Sequence, residues 1–264
     1  MHSATSTPAA RGPASSRREK AGLGRFGARI LLTLGGLILA AVPFLVLGVA
    51  VHTEGTAANR LDLSVATHLH QSVASSPALA GALRLVSNVF QPNAFRALIV
   101  VAAIVLAFWK NAWRLAIWMV VTMAGEALLD VVLKSAFGRA RPSFRDPLVH
   151  AAGGSFPSGH AFGSFVGCAV VVLVVLPLFN RTGRSLVIAA ATLIVLAVGF
   201  SRIGLGAHYV TDVLGGWLLG AAWVSLTTAA FESWREDVGL RRAHITSEGV
   251  EPELPSDAAT DSSR

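Results

Sequence analysis

Charge is scarce in this chain. Asp, Glu, Lys and Arg make up 14% of its 264 residues and apolar residues 53%, whereas a soluble domain carries about 25% charged residues. The shortage excludes an ordinary water-soluble fold and points to one polytopic membrane domain. Cysteine is scarcer still. Cys168 stands alone inside an apolar run, so no intramolecular disulfide and no thiolate metal site can be built, and it reads as a packing residue. Acidic residues are fewer than basic ones, for a net charge of +7. Nucleic acid is not the reason for that excess, because the Lys and Arg residues gather in short clusters at the ends of apolar segments, as membrane topology requires.

What the chain does have is long apolar runs. Residues 1–28 form a Ser-, Ala-, Pro- and Arg-rich segment, expected to be a disordered basic tail. Ile30–Val51 is too long for the ~7–15-residue core of a secretory signal and has the length of a first span. Residues 52–92 are mixed, with His52, His68, His70, Pro77 and Pro92; they predict one or two helices lying at the membrane surface. Further spans are expected at 95–109, 113–133, 160–179, 185–200 and 211–231. The second is short unless Arg96 snorkels or Val89 and Phe90 extend it. After Trp234 the chain turns basic and then Ser-, Pro- and acid-rich, so 235–264 is expected to be a disordered tail. The fold class is therefore all-α: a bundle of six transmembrane helices over 29–234. Six spans place both termini on one side. The basic residues of the short loops, Lys110, Arg114, Arg181 and Arg184, mark that side as cytoplasmic, and the loop 138–159 and the stretch 201–212 then face outward.

Polar residues within such a chain need a reason, and they fall into three clusters. Lys134 and Arg141 lie seven apart, with Pro142 ending any helix. Pro157-Ser158-Gly159-His160 immediately precedes an apolar helix. Ser158 can cap it, and the free N–H groups of its first turn form an anion site that Gly159 leaves accessible. In Ser201–Asp212, Arg202 supplies planar cationic donors. His208 and Asp212 are four apart, so a helix beginning near His208 would let the carboxylate orient the imidazole. A structural His–Asp pair beside a snorkelling Arg satisfies the same spacing. Span topology puts all three clusters on one membrane face. Three cations and a helix start suit a group with several negative oxygens, and two histidines could divide nucleophilic attack and proton transfer, as phosphoryl transfer asks. Glu126 and Asp130 form one stripe with Lys134. They are functional suspects by depth, or Asp130 and Lys134 are simply an ion pair.

Together the clusters match, at every motif position, the Lys-x6-Arg-Pro, Pro-Ser-Gly-His and Ser-Arg-x5-His-x3-Asp signature, and the chain thereby resembles the type 2 phosphatidic acid phosphatase superfamily from Lys134 to Asp212. The resemblance implies a membrane, metal-independent phosphatase without cofactor, acting on a lipid phosphate or prenyl pyrophosphate at the outer face of the plasma membrane. It further implies His208 as the nucleophile forming a phosphohistidine, Asp212 as the carboxylate holding its ring and His160 as the general acid. Lys134, Arg141, Ser158, Gly159 and Arg202 would be the phosphate-binding set. Arg139, Arg145 and His150 receive no role from it and stand as pocket candidates only.

Two other classes fit parts of the pattern. A metal site of His160, His208 and Asp212 would place the ion beside three cations. A lipid or anion transporter would use Glu126 and Asp130 as a proton relay, but no internal repeat supports it. The choice of lipid and the oligomeric state have no readable code in the sequence.

Overall fold

The computed structural model describes residues 35, 37–53 and 57–237; the two expected tails, apart from residues 235–237, and the first residues of the expected first span lie outside that range. The described residues form eight α-helices: α1 (Leu37–His52), α2 (Ala57–Ala74), α3 (Pro77–Val89), α4 (Pro92–Lys110), α5 (Trp113–Phe137), α6 (Gly159–Val175), α7 (Arg181–Gly204) and α8 (Val210–Asp237). Five segments are long and apolar enough to cross a membrane, running 77–110, 113–137, 159–178, 181–204 and 210–235, and α1 with α2, bent by 82°, forms the sixth candidate. The all-α membrane bundle is as expected.

Helix boundaries follow local chemistry. Pro77 and Pro92 open α3 and α4, where a missing N–H costs nothing, and the Ser76 hydroxyl accepts from the Leu79 N–H. Asn111 and Gly138 close α4 and α5 in the left-handed conformation, at φ 53° and 56°. The Asn180 side chain caps α7 through the Gly183 N–H at 2.9 Å. Several helices outrun the expected spans. Helix α5 reaches Phe137 and so carries Lys134, α7 reaches Gly204 and so carries Arg202, and α8 reaches Asp237. Hydropathy alone stops at the first polar residue, although the helix does not.

Helix α6 is the axis of the bundle and packs against α4, α5, α7 and α8. It approaches α8 so closely at its start that a Cβ on Gly216 would lie 2.7 Å from the Ser158 carbonyl oxygen. Outward faces of the spans remain apolar and exposed, as at Leu98, Phe108, Val132 and Leu193, the pattern of a lipid-facing surface. Helices α2 and α3, expected between the first two spans, lie over the end of α7, and α2 also touches α8.

Candidate active site

One end of the bundle gathers the last turn of α5, the loop 138–158, the first turn of α6, the last turn of α7 and the first turn of α8. All eight residues expected to act are brought there. The imidazole of His160 lies within electrostatic reach of Arg202, His208, Lys134 and Arg141. Lys134 stands against α6, since a Cβ on Gly159 would lie 2.6 Å from its Nζ.

His208 precedes α8 instead of lying on it, so its link to Asp212 is not the helix-face pairing expected from the spacing. Asp212 is the third residue of α8 and reaches back to the Tyr209 N–H at 2.9 Å, a capping contact. Its Oδ2 is 3.4 Å from His208 Nδ1. The shorter partner of Nδ1 is the Ser155 carbonyl, at 2.9 Å. A carbonyl only accepts, so Nδ1 carries the proton. Arg141 Nη1, which only donates, lies 3.0 Å from Nε2, leaving that atom the lone pair. Burial pushes the His208 imidazole down to about 4, against the pull of Asp212 and with the push of Arg141 and Arg202. The ring is therefore neutral at neutral pH, with its lone pair on Nε2.

The cations differ from one another. Arg141 donates through Nε to the Gly153 carbonyl, through Nη2 to those of Ala152 and Gly154, and through Nη1 to Ala207 and His208. All five of its donors are engaged, four of them on backbone carbonyls. Its planar fork, expected to grip phosphate bidentately, instead folds the loop around it, leaving the one N–H on His208 for a ligand. Arg202 is 6% exposed; one bond runs from its Nη1 to Ser87 at 2.7 Å, while Nε has no partner. No carboxylate pairs with it among the described residues. Lys134 is paired with Asp130 at 2.8 Å, the structural alternative left open by the sequence, in the same place as the phosphate-binding one.

At α6, the Ser158 hydroxyl accepts from the Ala161 N–H at 3.5 Å, while the Ser158 N–H donates to the Asp212 carbonyl. The N–H groups of Gly159 and His160 have no acceptor among the described residues, so the helix start remains open to an anion. The half-buried His160 ring has no hydrogen-bond partner there either.

Two participants, Asp62 and Ser87, escaped the sequence reading, and a third, Arg139, is a pocket candidate to which it gives no role. Arg139 donates to Asp212 Oδ1 at 2.5 Å and to Asp62 at 2.8 Å, and its guanidinium covers the Tyr209 ring at 4.4 Å. Asp62 of α2 and Ser87 of α3 are both 1% exposed. Their signal was present: Asp62 shares one face of α2 with buried Ala66, His70 and Val73, where a carboxylate needs a partner. Arg96 does not snorkel outward but pairs with Glu126 of α5 at 2.8 Å. Among the described residues no three carboxylate, imidazole or thiol groups converge as a metal ion would require.

Fold and cluster together describe a multi-pass membrane protein with three cations, two histidines and an open helix start gathered at one end of its bundle. The chain belongs to the PAP2 superfamily, whose family model matches residues 115–236. It is 33% identical to phosphatidylglycerophosphatase B of Bacillus subtilis, over 67% of this chain and 85% of that protein. The crystal structure of a transmembrane PAP2 type phosphatidylglycerolphosphate phosphatase from Bacillus subtilis aligns with a TM-score of 0.67 and 30% identity, covering 75% of this chain and 96% of that one. An undecaprenyl-diphosphatase of Sulfolobus acidocaldarius is 33% identical over 50% of this chain and 62% of its own length. The family is one of hydrolases acting on lipid phosphates and prenyl diphosphate, and this chain is a membrane phosphatase of that kind.

Proposed function

We propose that the protein hydrolyses the terminal phosphate of a lipid phosphate or prenyl pyrophosphate through a phosphohistidine on His208. The carrying observation is the pairing of a neutral His208, its Nε2 lone pair facing Arg141, with a buried Arg202 that has no counter-ion among the described residues. Such a cation is costly to bury until an anion arrives. Terminal phosphate oxygens would be held by Arg202, Lys134, one N–H of Arg141 and the N–H groups of Gly159 and His160, with Ser158 capping the helix that presents them. Nε2 then attacks the terminal phosphorus, the bond from it to the leaving oxygen breaks (the lipid oxygen of a monophosphate or the bridging oxygen of a pyrophosphate), and His160 gives that oxygen a proton. Water next attacks phosphorus, losing a proton to His160, the phosphorus–nitrogen bond breaks, and phosphate leaves with the Nε2 lone pair restored. Asp212 stabilises the ring while it carries positive charge.

The headgroup reacts at the bundle end while the apolar chains stay in the bilayer, which avoids about 0.8 kcal/mol per methylene for transfer to water. The loop charges support an orientation with this end outside the cytoplasm and both termini inside, and the plasma membrane is the location this reading carries. Purified protein should release phosphate from phosphatidic acid, phosphatidylglycerophosphate or a polyprenyl pyrophosphate in excess chelator, and His208→Ala should release none. Equal release by that variant would refute the reading.

A further inference from the structure

The polar chain behind Asp212 is more elaborate than a helix cap. Asp62 Oδ1 accepts from the Thr211 N–H at 3.0 Å, and its Oδ2 accepts from the Thr211 hydroxyl and from Arg139 Nη2 at 2.8 Å. Arg139 Nη1 spans the Thr211 hydroxyl at 2.8 Å and Asp212 Oδ1 at 2.5 Å. A buried line of alternating charge therefore runs Asp62, Arg139, Asp212 and ends at His208. With Arg139 on Oδ1 and the Tyr209 N–H on Oδ2, the Asp212 carboxylate is held on both oxygens, its Oδ2 edge toward the imidazole. Arg139 alone would draw much of that carboxylate's charge to itself. Asp62 compensates it.

We propose that Asp62 is a positioning residue of the reaction: through Arg139 it fixes the Asp212 carboxylate and preserves its negative field at His208. This rests on the phosphohistidine reading above. The field at His208 also has contributions from Arg141 in the loop and Arg202 of α7; His160 of α6 is coupled to it and itself faces Lys134 of α5, and His70 of α2 lies beside Gly206. Asp62 and Arg139 act on it with opposite sign. Removing the Asp62 charge leaves Arg139 uncompensated and disfavours the protonated imidazole; removing the Arg139 charge does the reverse.

The test is the pH–rate profile of full-length Asp62→Asn, Arg139→Gln and wild-type protein in detergent, with size-exclusion elution as the check on folding and phosphatidylglycerophosphate as substrate. Asp62→Asn should lower kcat roughly 10–100-fold, the scale of losing an outer-shell partner of a reacting group, with KM unchanged, and should move the acid limb of kcat/KM to lower pH. Arg139→Gln should move that limb to higher pH. A purely structural staple between α2 and α8 would lower activity in both variants without opposite shifts, and that result overturns the proposal, as does a wild-type kcat in Asp62→Asn. If Asp62→Asn does not fold, the direction of the Arg139→Gln shift decides alone. His208→Ala, run alongside, separates the two levels. Its retention of activity would sink the phosphohistidine reading, whereas its inactivity beside an unperturbed Asp62→Asn removes only the positioning role.

Discussion

The loop that carries Arg141 and the helix end that carries Arg202 present the same side chain to the same site under opposite conditions. Arg141 meets five acceptors, four of them carbonyls of its own surroundings, whereas Arg202 meets one serine hydroxyl and keeps a buried Nε without a partner. Both are motif arginines, and a motif does not distinguish them. Arg141 chiefly builds the loop from which the Ser155 carbonyl reaches His208, whereas Arg202 is the cation proposed above to receive an anion. On that proposal, stability is traded for binding at the second position and not at the first.

The comparison breaks most readily at Arg141. Arg141→Lys keeps the charge but cannot span the carbonyls of 152, 153, 154 and 207; two unreplaced bonds would cost roughly 3–6 kcal/mol. The expected outcome is a large fall in melting temperature together with near-complete loss of activity, and an unchanged melting temperature would contradict the structural role. Arg202→Met should behave differently. Activity should fall roughly 100–1000-fold, the scale of losing a charge-stabilising donor, while thermal stability stays the same or rises because an unpaired buried charge is gone. Millimolar inorganic phosphate should raise the wild-type melting temperature and leave that of Arg202→Met unmoved.

Smaller effects sharpen the same contrast. Ser87→Ala removes the single bond aiming Arg202, so it should cost about 10-fold in kcat/KM with little change in stability. An effect as large as that of Arg202→Met would mean that α3 does more than aim the guanidinium. Both arginines and burial hold His208 down to about 4. The attacking form is the neutral one, so after correction for substrate ionisation the acid limb of kcat/KM should fall near pH 4, with activity lost as pH drops through it. A limb at the ordinary histidine value of ~6.5 would show a ring far more solvated than this one.

Much of this was legible in the chain. Apolar runs revealed the helices, and the three motifs marked Lys134, Arg141, Ser158, Gly159, His160, Arg202, His208 and Asp212, all of which meet at one end of the bundle. Illegible were the roles set by packing across sequence distance. Arg139 and Arg141 are neighbours in one motif, yet one faces Asp62 and Asp212 and the other the loop carbonyls, a distinction fixed only when α2 closes over the site. Asp62 and Ser87 lie far from their partners, separated by 77 residues from Arg139 and 115 from Arg202, and no spacing rule spans such intervals. Glu126 and Asp130 were read as relay candidates from depth alone. Their partners, Arg96 and Lys134, account for both as ion pairs. His208 and Asp212 show the limit of periodicity, because α8 starts after His208 and their relation is set by a cap.

The central claim, that His208 Nε2 takes the phosphoryl group and His160 moves the protons, is tested most directly by a single-turnover quench of His160→Ala with a radiolabelled aryl phosphate. The acidic phenol leaves without protonation, while the missing base slows release of phosphate. The account predicts a stoichiometric burst of phenol and an acid-labile, base-stable phosphate that maps to His208 in the peptide digest. Label on any other residue, or turnover with no covalent phosphate while His208→Ala remains active, would contradict it.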